Sequence, residues 1–200
     1  MKLLIATHNP GKVREYREIF HDLPVKIVSL DEEGITMEPE ETGKTFKDNA
    51  VLKARAFAGA SGLLTLADDS GLEIDALGGE PGVYSARYGG TGKDEHVRRY
   101  EIVLSKLKEV PWEKRTARFR CVVAIATPSG MIKTADGIVE GMISRDPKGS
   151  NGFGYDPIFF IPELNQTMAE ISPEMKHKIS HRGNAARTSI PIIKEMKCKM

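Results

Sequence analysis

Two adjacent carboxylates, Asp68 and Asp69, directly follow an apolar run at residues 63–67 that is typical of a buried strand. Open α/β sheets bind their ligands at the carboxyl ends of such strands. Because side chains alternate in direction, we expect one carboxylate to act on a metal ion or a water molecule and the other to support structure. Ser70 is expected to continue a turn and to offer a hydroxyl. A turn whose aspartate only caps backbone amides is the structural alternative.

An acidic loop ahead of the second predicted helix contains Glu41. Magnesium prefers one or two carboxylates together with substrate phosphate oxygens. Glu41 is therefore a candidate metal ligand beside Asp69, whereas the other acids of the loop are expected to be solvated. Lys53 lies beside the apolar face of the helix that follows, where it either reaches a binding site or extends its ammonium to water.

A second group of residues lies where the first predicted strand passes into a helix. Asn9 is a suitable N-cap and Pro10 a suitable first helical residue. Free backbone N–H groups and the positive helix end then face one point, which favours phosphate binding. Gly11 permits close backbone approach and Lys12 adds a full charge, although a capped helix with a solvated lysine is the alternative. The candidate phosphate-binding residues are Thr7, His8, Asn9, Pro10, Gly11 and Lys12.

A third group begins with an aromatic residue flanked by glycines and followed by a carboxylate. Phe153 is suited to stack on a base, and Asp156 to accept a hydrogen bond from a ring N–H. Core aromatics beside a bulge are the structural alternative. Arg182 presents a planar fork that suits a carbonyl or phosphate oxygen. Lys176, Ser180 and His181 place further hydrogen-bond donors beside Arg182 around the start of the last predicted helix. Ser180 is equally suited only to cap that helix, and His181 to lie at the surface.

Alternating strands and helices must position these residues. Short apolar runs predict strands at residues 2–6, 25–30 and 63–67. Capping residues and helical spacing predict helices at residues 9–22 and 45–62. The phosphate candidates and Asp69 are thereby placed where a strand ends, Lys53 lies on the second helix, and Glu41 lies in the loop before that helix.

The second half of the chain adds antiparallel structure. Residues 117–126 and 131–143 are β-rich, and the turn signal between them predicts an antiparallel hairpin. Ser172 is expected to start a short helix, and a last helix from His181 is expected to be interrupted by Pro191. The pattern indicates an α/β protein with a mixed sheet, folded as a single domain over residues 1–200.

Composition narrows the possible partners. The 200 residues carry a formal net charge of +1, which gives no broad basic field for nucleic acid. No apolar run approaches the roughly 20 residues that span a bilayer, so we expect no membrane partner. Cys121 and Cys198 lack the spacing of a redox or metal motif, and this favours a reducing, cytoplasmic compartment.

Six segments, taken in order, resemble the inosine triphosphate pyrophosphatase family. The segments are 7–12, 41–46 with 49–50 and 53–54, 67–72, 82–87, 152–157 and 180–182. The resemblance runs over nearly the whole chain. Asp48 stands where the family commonly has glutamate, a change that a helix start tolerates.

The resemblance implies an enzyme that hydrolyses ITP, dITP and XTP to the nucleoside monophosphate and pyrophosphate, keeping such bases out of DNA and RNA. It also implies magnesium, a homodimer, and a long twisted sheet with a cleft between two lobes. Asp69 would be the general base and a magnesium ligand with Glu41, and Asp68 would support that site. The triphosphate would be bound by Thr7, Asn9, Lys12 and Lys53. The residues that would contact the substrate or surround its base are Ser70, Phe153, Gly154, Tyr155, Asp156, Lys176, His181 and Arg182.

Two other functions remain open from the sequence. A related pyrophosphatase acting on other modified nucleotides would keep the phosphate and metal residues and change the contacts to the base. A nucleotide-sensing module would bind without turnover, although the pair Asp68 and Asp69 argues against it. Lys176 and Arg182 only donate hydrogen bonds, so they are expected to favour the 6-oxo purines over ATP.

Overall fold

The computed structural model describes residues 1–92 and 95–197. Cys198, which the sequence places in the tail, lies outside the described residues. No described helix is both long enough and apolar enough to cross a membrane.

The described strands form one mixed sheet, so the predicted α/β class is confirmed. The strands are β1 (Lys2–Ile5), β2 (Lys26–Ser29), β3 (Leu64–Ile74), β4 (Thr116–Ala126), β5 (Ile132–Ile143), β6 (Phe159–Ile161) and β7 (Gln166–Thr167). Their order in the sheet is β2-β1-β3-β4-β5-β6-β7. β1 pairs in parallel with β2 and β3, whereas β6 pairs antiparallel with β5 and β7. The neighbours β4 and β5 are joined by the tight turn at Thr127, whose N–H donates to Met131 O at 2.9 Å, so the predicted hairpin is confirmed.

Local capping signals set the starts of three helices. Asn9, Thr45 and Ser172 are N-caps, each accepting a backbone N–H three residues ahead. Gly62 ends the second helix in the left-handed conformation with φ 67°, which costs glycine little. The helices are α1 (Pro10–Ile19), α2 (Phe46–Ser61), α3 (His96–Lys106), α4 (Pro173–Ile179) and α5 (His181–Lys197).

The turn predicted at Asp68, Asp69 and Ser70 is wrong, because β3 continues through these residues to Ile74. The local turn signal loses to the packing of Leu72 and Ile74, which are both fully buried. β1 ends beside Leu66, with Ala6 N donating to Leu66 O at 2.8 Å. The acidic pair therefore lies just past the carboxyl end of β1, where a parallel sheet opens toward a ligand.

The interruption predicted at Pro191 is also wrong, because α5 continues through it. Proline removes one N–H that would bond to the carbonyl of Arg187. Arg187 and Pro191 are both exposed, so water can satisfy that carbonyl. Buried Ala186 and Ile193 on either side of the proline hold the helix in place.

The described chain contains two compact units. The first comprises residues 1–69, 121–137 and 182–197, and its core includes Leu3, Tyr16, Leu66 and Ile193. The second comprises Ser70–Arg120 and Ile138–His181, and its core includes Leu72, Phe119, Phe159 and Met168. The single domain and the cleft between lobes stay predictions.

Candidate functional site

The turn from β1 into α1 is held in shape by its own side chains. Asn9 Oδ1 accepts from the N–H of Lys12 at 3.1 Å, and Asn9 N–H donates to Thr7 Oγ1 at 3.2 Å. Pro10 occupies the first turn of α1, where its missing N–H costs nothing. The positive end of α1 is thus preformed beside the carboxyl end of β1, which suits an anion.

His8 belongs to the same turn but faces the acidic loop. Its Nε2 lies 3.1 Å from the carbonyl oxygen of Met37, and its ring meets the edge of Phe57 at 6.5 Å between centroids. Through His8, the predicted phosphate-binding segment thus contacts the loop that contains Glu41.

Asp68 is the most constrained acid of the first unit. It is 2% exposed, and its Oδ2 lies 2.9 Å from Lys12 Nζ and 3.4 Å from an Arg182 guanidinium nitrogen. Cys121 Sγ lies 3.7 Å from the same oxygen. Burial by itself raises the pKa of Asp68, but the charges of Lys12 and Arg182 outweigh it and hold the pKa well below its ordinary value. Asp68 therefore stays ionised at neutral pH and holds the Lys12 ammonium in an ion pair.

Asp69 has a different environment, although it is the next residue along β3. Its Oδ1 lies 3.4 Å from Lys53 Nζ, and its Oδ2 accepts from Asn49 Nδ2 at 3.2 Å. Burial raises the pKa of Asp69 above its ordinary value, although Lys53 and Lys12 act in the opposite direction. Asp69 is the better proton acceptor of the two adjacent acids, because its conjugate acid is the weaker one.

Lys53 joins Asp69 to the acidic loop. Its ammonium lies 2.7 Å from Glu41 Oε1 and 3.4 Å from Asp69 Oδ1. Burial lowers the pKa of Lys53, but attraction to Asp69 and Glu41 outweighs it, so the pKa is raised and the lysine stays charged. Lys53 thus contacts Glu41 and Asp69 instead of extending its ammonium to water.

The donor set around Lys53 fits magnesium. Glu41 and Asp69 are hard oxygen ligands that already face one shared cation. Within the described residues, no three or more His, Cys, Asp or Glu side chains are grouped to hold a metal ion. With two protein carboxylates, a magnesium ion would take its remaining ligands from phosphate oxygens and water.

Asn49 is a site residue that the sequence reasoning did not assign. It is 1% exposed on α2, and its Oδ1 accepts from Gly43 N–H at 2.8 Å while its amide donates to Asp69. A Cβ at Gly43 would lie 2.6 Å from that same Oδ1, so the loop backbone has to approach closely. The signal available in the sequence was an asparagine on the apolar face of the predicted second helix.

In the second unit, the glycine-flanked aromatic and two charged residues form a compact cluster. Asp156 Oδ2 accepts from Phe153 N–H at 2.8 Å and lies 2.7 Å from Lys176 Nζ. The Lys176 ammonium is 4.7 Å from the centroid of the Phe153 ring. Asp156 and Lys176 are 3% and 4% exposed. The structure therefore groups three of the residues predicted to surround a base.

Tyr155 and His181 lie in the second unit with other partners. The Tyr155 hydroxyl donates to the carbonyl oxygen of Ser85 at 2.9 Å. The His181 ring stacks on Phe119, with 4.7 Å between centroids and 17° between planes. Ser180 is the C-cap of α4, and its backbone N–H donates to Lys176 O at 2.8 Å. Its alternative role as a cap at the start of the last helix stays a prediction.

Arg182, which the resemblance places near the base, belongs to the first unit. Its guanidinium lies 2.7 Å from Glu15 Oε2 as well as 3.4 Å from Asp68. Glu15, on α1, is 7% exposed and was not assigned from the sequence. A role for Arg182 in reading the base stays a prediction.

Comparison with known proteins identifies the family of this chain. The model of the Ham1 family matches residues 3–191. A dITP/XTP pyrophosphatase of Bacillus subtilis is 53% identical over 92% of each chain, and one of Desulforamulus reducens is 52% identical over 98% of this chain and 97% of its own. The solved structure of the Staphylococcus aureus Ham1 protein superposes with a TM-score of 0.86 at 41% identity, covering 98% of this chain and all of that one. The chain belongs to the Ham1 family.

Proposed function

We propose that this protein hydrolyses dITP, ITP and XTP to the nucleoside monophosphate and pyrophosphate. The observation that carries the proposal is the pair of adjacent acids in β3, each held by its own lysine: Asp68 contacts Lys12 at the start of α1, and Asp69 contacts Lys53 beside Glu41. This arrangement supports one acid that orients a phosphate-binding lysine and a second acid that accepts a proton from water. Relatives at about half identity over nearly the full chain are named dITP/XTP pyrophosphatases.

Asp69 acts as the general base in this proposal. A water molecule attacks the α-phosphorus, its oxygen forms the new P–O bond, and its proton passes to Asp69. The bond from the α-phosphorus to the bridging oxygen breaks, and that oxygen leaves with the electron pair as part of pyrophosphate. Asn49 and Lys53 hold the carboxylate of Asp69 in place during the transfer.

Lys12, Lys53 and the start of α1 stabilise the negative charge of the triphosphate and of the leaving pyrophosphate. Lys12 is oriented by Asp68, whose lowered pKa makes it the weaker proton acceptor of the two acids. Thr7 and Asn9 keep the turn in the shape that presents backbone N–H groups. Positioning and charge stabilisation are thus supplied by the first unit.

Magnesium is the proposed cofactor, held by Glu41 and Asp69 together with phosphate oxygens. When bound, it would neutralise phosphate charge and lower the barrier to attack. Glu41 and Asp69 already share one cation, the Lys53 ammonium.

The base is assigned to the cluster of Phe153, Asp156 and Lys176. The Phe153 ring offers a stacking surface worth roughly 1–3 kcal/mol per base. Lys176 donates to a 6-oxo group and meets only a donor in ATP, which favours oxo purines. Gly154, His181 and Arg182 complete the proposed base contacts, and Ser70 the contacts to the rest of the nucleotide.

A homodimer in the cytoplasm completes the proposal. Cys121 is a buried free thiol, as expected in a reducing compartment. Light scattering of the purified protein measures the oligomeric state directly.

The decisive experiment is a nucleotide panel with magnesium in which pyrophosphate and orthophosphate are measured separately. ITP, dITP and XTP should each give monophosphate and pyrophosphate in a one-to-one ratio, with ATP and GTP far slower. Stepwise release of orthophosphate contradicts the proposed reaction. Tight binding of ITP without turnover would instead identify a sensing module.

A further inference from the structure

The segment Gly82–Gly90 carries one of the family-like motifs, and no function has so far been given to it. Ser85 lies in this segment and is 6% exposed. Ser85 Oγ accepts from Leu72 N–H at 2.9 Å and donates to Gly82 O at 2.6 Å. The hydroxyl thus fixes the segment against β3.

The carbonyl oxygen of Ser85 is equally well held. It accepts from the Tyr155 hydroxyl at 2.9 Å and from Arg99 Nη1 at 3.4 Å. Arg99 also donates to Ala86 O at 2.6 Å and to His96 Nδ1 at 2.8 Å, and it is 4% exposed on α3. Arg99 therefore fixes the carbonyl groups of Ser85 and Ala86, and because it is buried, losing these hydrogen bonds would be costly.

Tyr155 connects this junction to the cluster assigned to the base. It lies between Phe153 and Asp156 in a run of tight turns, where Asp156 N–H donates to Phe153 O at 3.3 Å. Ile158 and Phe159 N–H groups donate to Tyr155 O at 3.0 and 3.1 Å. Because these turns are continuous, displacing the Tyr155 ring displaces the Phe153 ring and the Asp156 carboxylate.

We propose that Ser85 and Arg99 are positioning residues that set nucleotide affinity and base selectivity through the Tyr155 hydroxyl. They hold the Ser85 carbonyl where Tyr155 donates to it, and Tyr155 fixes the turns that carry Phe153 and Asp156. This inference rests on the proposed function. It assigns to Tyr155 the role of anchoring the cluster rather than of reading the base with its hydroxyl.

The test compares Tyr155→Phe, Ser85→Ala and Arg99→Lys with a matched control, Tyr88→Phe. Tyr88 lies in the same segment, and its hydroxyl contacts Glu80 and Lys106 rather than the base cluster. Tyr155→Phe removes only one hydroxyl, so KM for dITP should rise about threefold to tenfold. Its kcat should stay within about twofold, and the ratio of dITP to dGTP turnover should narrow. Tyr88→Phe should leave KM and that ratio unchanged.

If Ser85, Arg99 and Tyr155 only stabilise the fold, their substitution should change stability and leave substrate affinity unchanged. Thermal stability and the active fraction would fall, while KM and selectivity of the surviving enzyme would stay at the parental values. That result in Tyr155→Phe and Arg99→Lys overturns the inference, as does an equal rise in KM for Tyr88→Phe. If Ser85→Ala does not fold, the other two variants still decide.

The double variant Ser85→Ala/Tyr155→Phe tests whether the two residues affect KM through the same junction or independently. Because both changes act on one junction, the rise in KM should be smaller than the product of the single rises. Calorimetric binding of IMP keeps the test independent of turnover. If the parent protein does not hydrolyse dITP, the proposed function fails, whereas a parental IMP affinity in Tyr155→Phe makes the inference fail.

Discussion

Lys176 and Asp156 form an ion pair of 2.7 Å in which both side chains are almost completely buried. A buried charge that loses its partner keeps its desolvation cost without the compensating attraction. Replacing either residue alone is therefore expected to destabilise the protein, independently of any role in substrate binding.

Lys176→Met should lower the free energy of unfolding by about 3–5 kcal/mol, because Asp156 is left buried without its cation. Urea unfolding measures this. Lys178→Met, an exposed lysine on the same helix, should change stability by less than about 0.5 kcal/mol. Adding Asp156→Asn to Lys176→Met should restore part of the loss, and an equal loss in the double variant would contradict this explanation.

Gly152→Ala should damage the same cluster from the backbone side. Gly152 has φ 75°, and an added Cβ would lie 2.1 Å from Asp156 Oδ2 and 3.0 Å from Lys176 Nζ. Backbone strain at position 152 and displacement of the Asp156 carboxylate should together raise KM for dITP by at least about tenfold. Gly59→Ala is the matched control, because its Cβ meets nothing within 4 Å and alanine favours the helix by about 1 kcal/mol. An unchanged KM in Gly152→Ala would show that the cluster does not bind substrate.

Local signals predicted the fold well, and non-local packing decided the rest. The caps at Asn9, Thr45 and Ser172 were correct because each depends on a hydrogen bond three residues away. The turn at Asp68 and Asp69 was wrong, because the core around Leu72 outweighs a local turn preference.

The candidate site shows the same limit. The sequence singled out Asp69, Lys53 and Glu41, and the structure brings these three together. It did not single out Asn49, whose contact with Asp69 joins a helix to a strand twenty residues farther along. Such contacts depend on topology, which no local pattern contains.

Asp69→Asn should abolish most activity without unfolding the protein. Loss of a positioned base lowers kcat by roughly 10²–10⁴-fold. Asp68→Asn should differ, because it leaves Lys12 and buried Arg182 without the anion that both contact. Its melting temperature should fall well below that of Asp69→Asn. If Asp69→Asn melts like the parent and keeps most of its activity, Asp68 becomes the candidate base.

Removal of magnesium with excess chelator should abolish turnover, and added magnesium should restore it. Glu41→Gln should raise the magnesium concentration for half-maximal activity by at least about tenfold, since one of two proposed ligands loses its charge. Glu40→Gln, at an exposed neighbouring acid, should leave it unchanged. Full activity of the parent in chelator would remove magnesium from the mechanism.

At Arg182, an effect on stability can be measured separately from an effect on recognition of the base. Arg182→Met should destabilise the protein by about 3–5 kcal/mol, because Glu15 is left buried without the guanidinium at 2.7 Å. The double variant Glu15→Gln/Arg182→Met should recover part of that stability, which makes kinetics measurable on folded protein.

In that double variant, the role of Arg182 at the base is tested by the ratio of kcat/KM for ITP to that for ATP. A donor that reads the 6-oxo group favours ITP, because ATP leaves it unpaired at a cost of about 1–3 kcal/mol. The ratio should therefore fall by roughly tenfold or more, while pyrophosphate remains the product. Glu15→Gln alone is the control and should keep the parental ratio. A parental ratio in the double variant as well would assign Arg182 to holding Asp68 and leave Lys176 as the donor to the base.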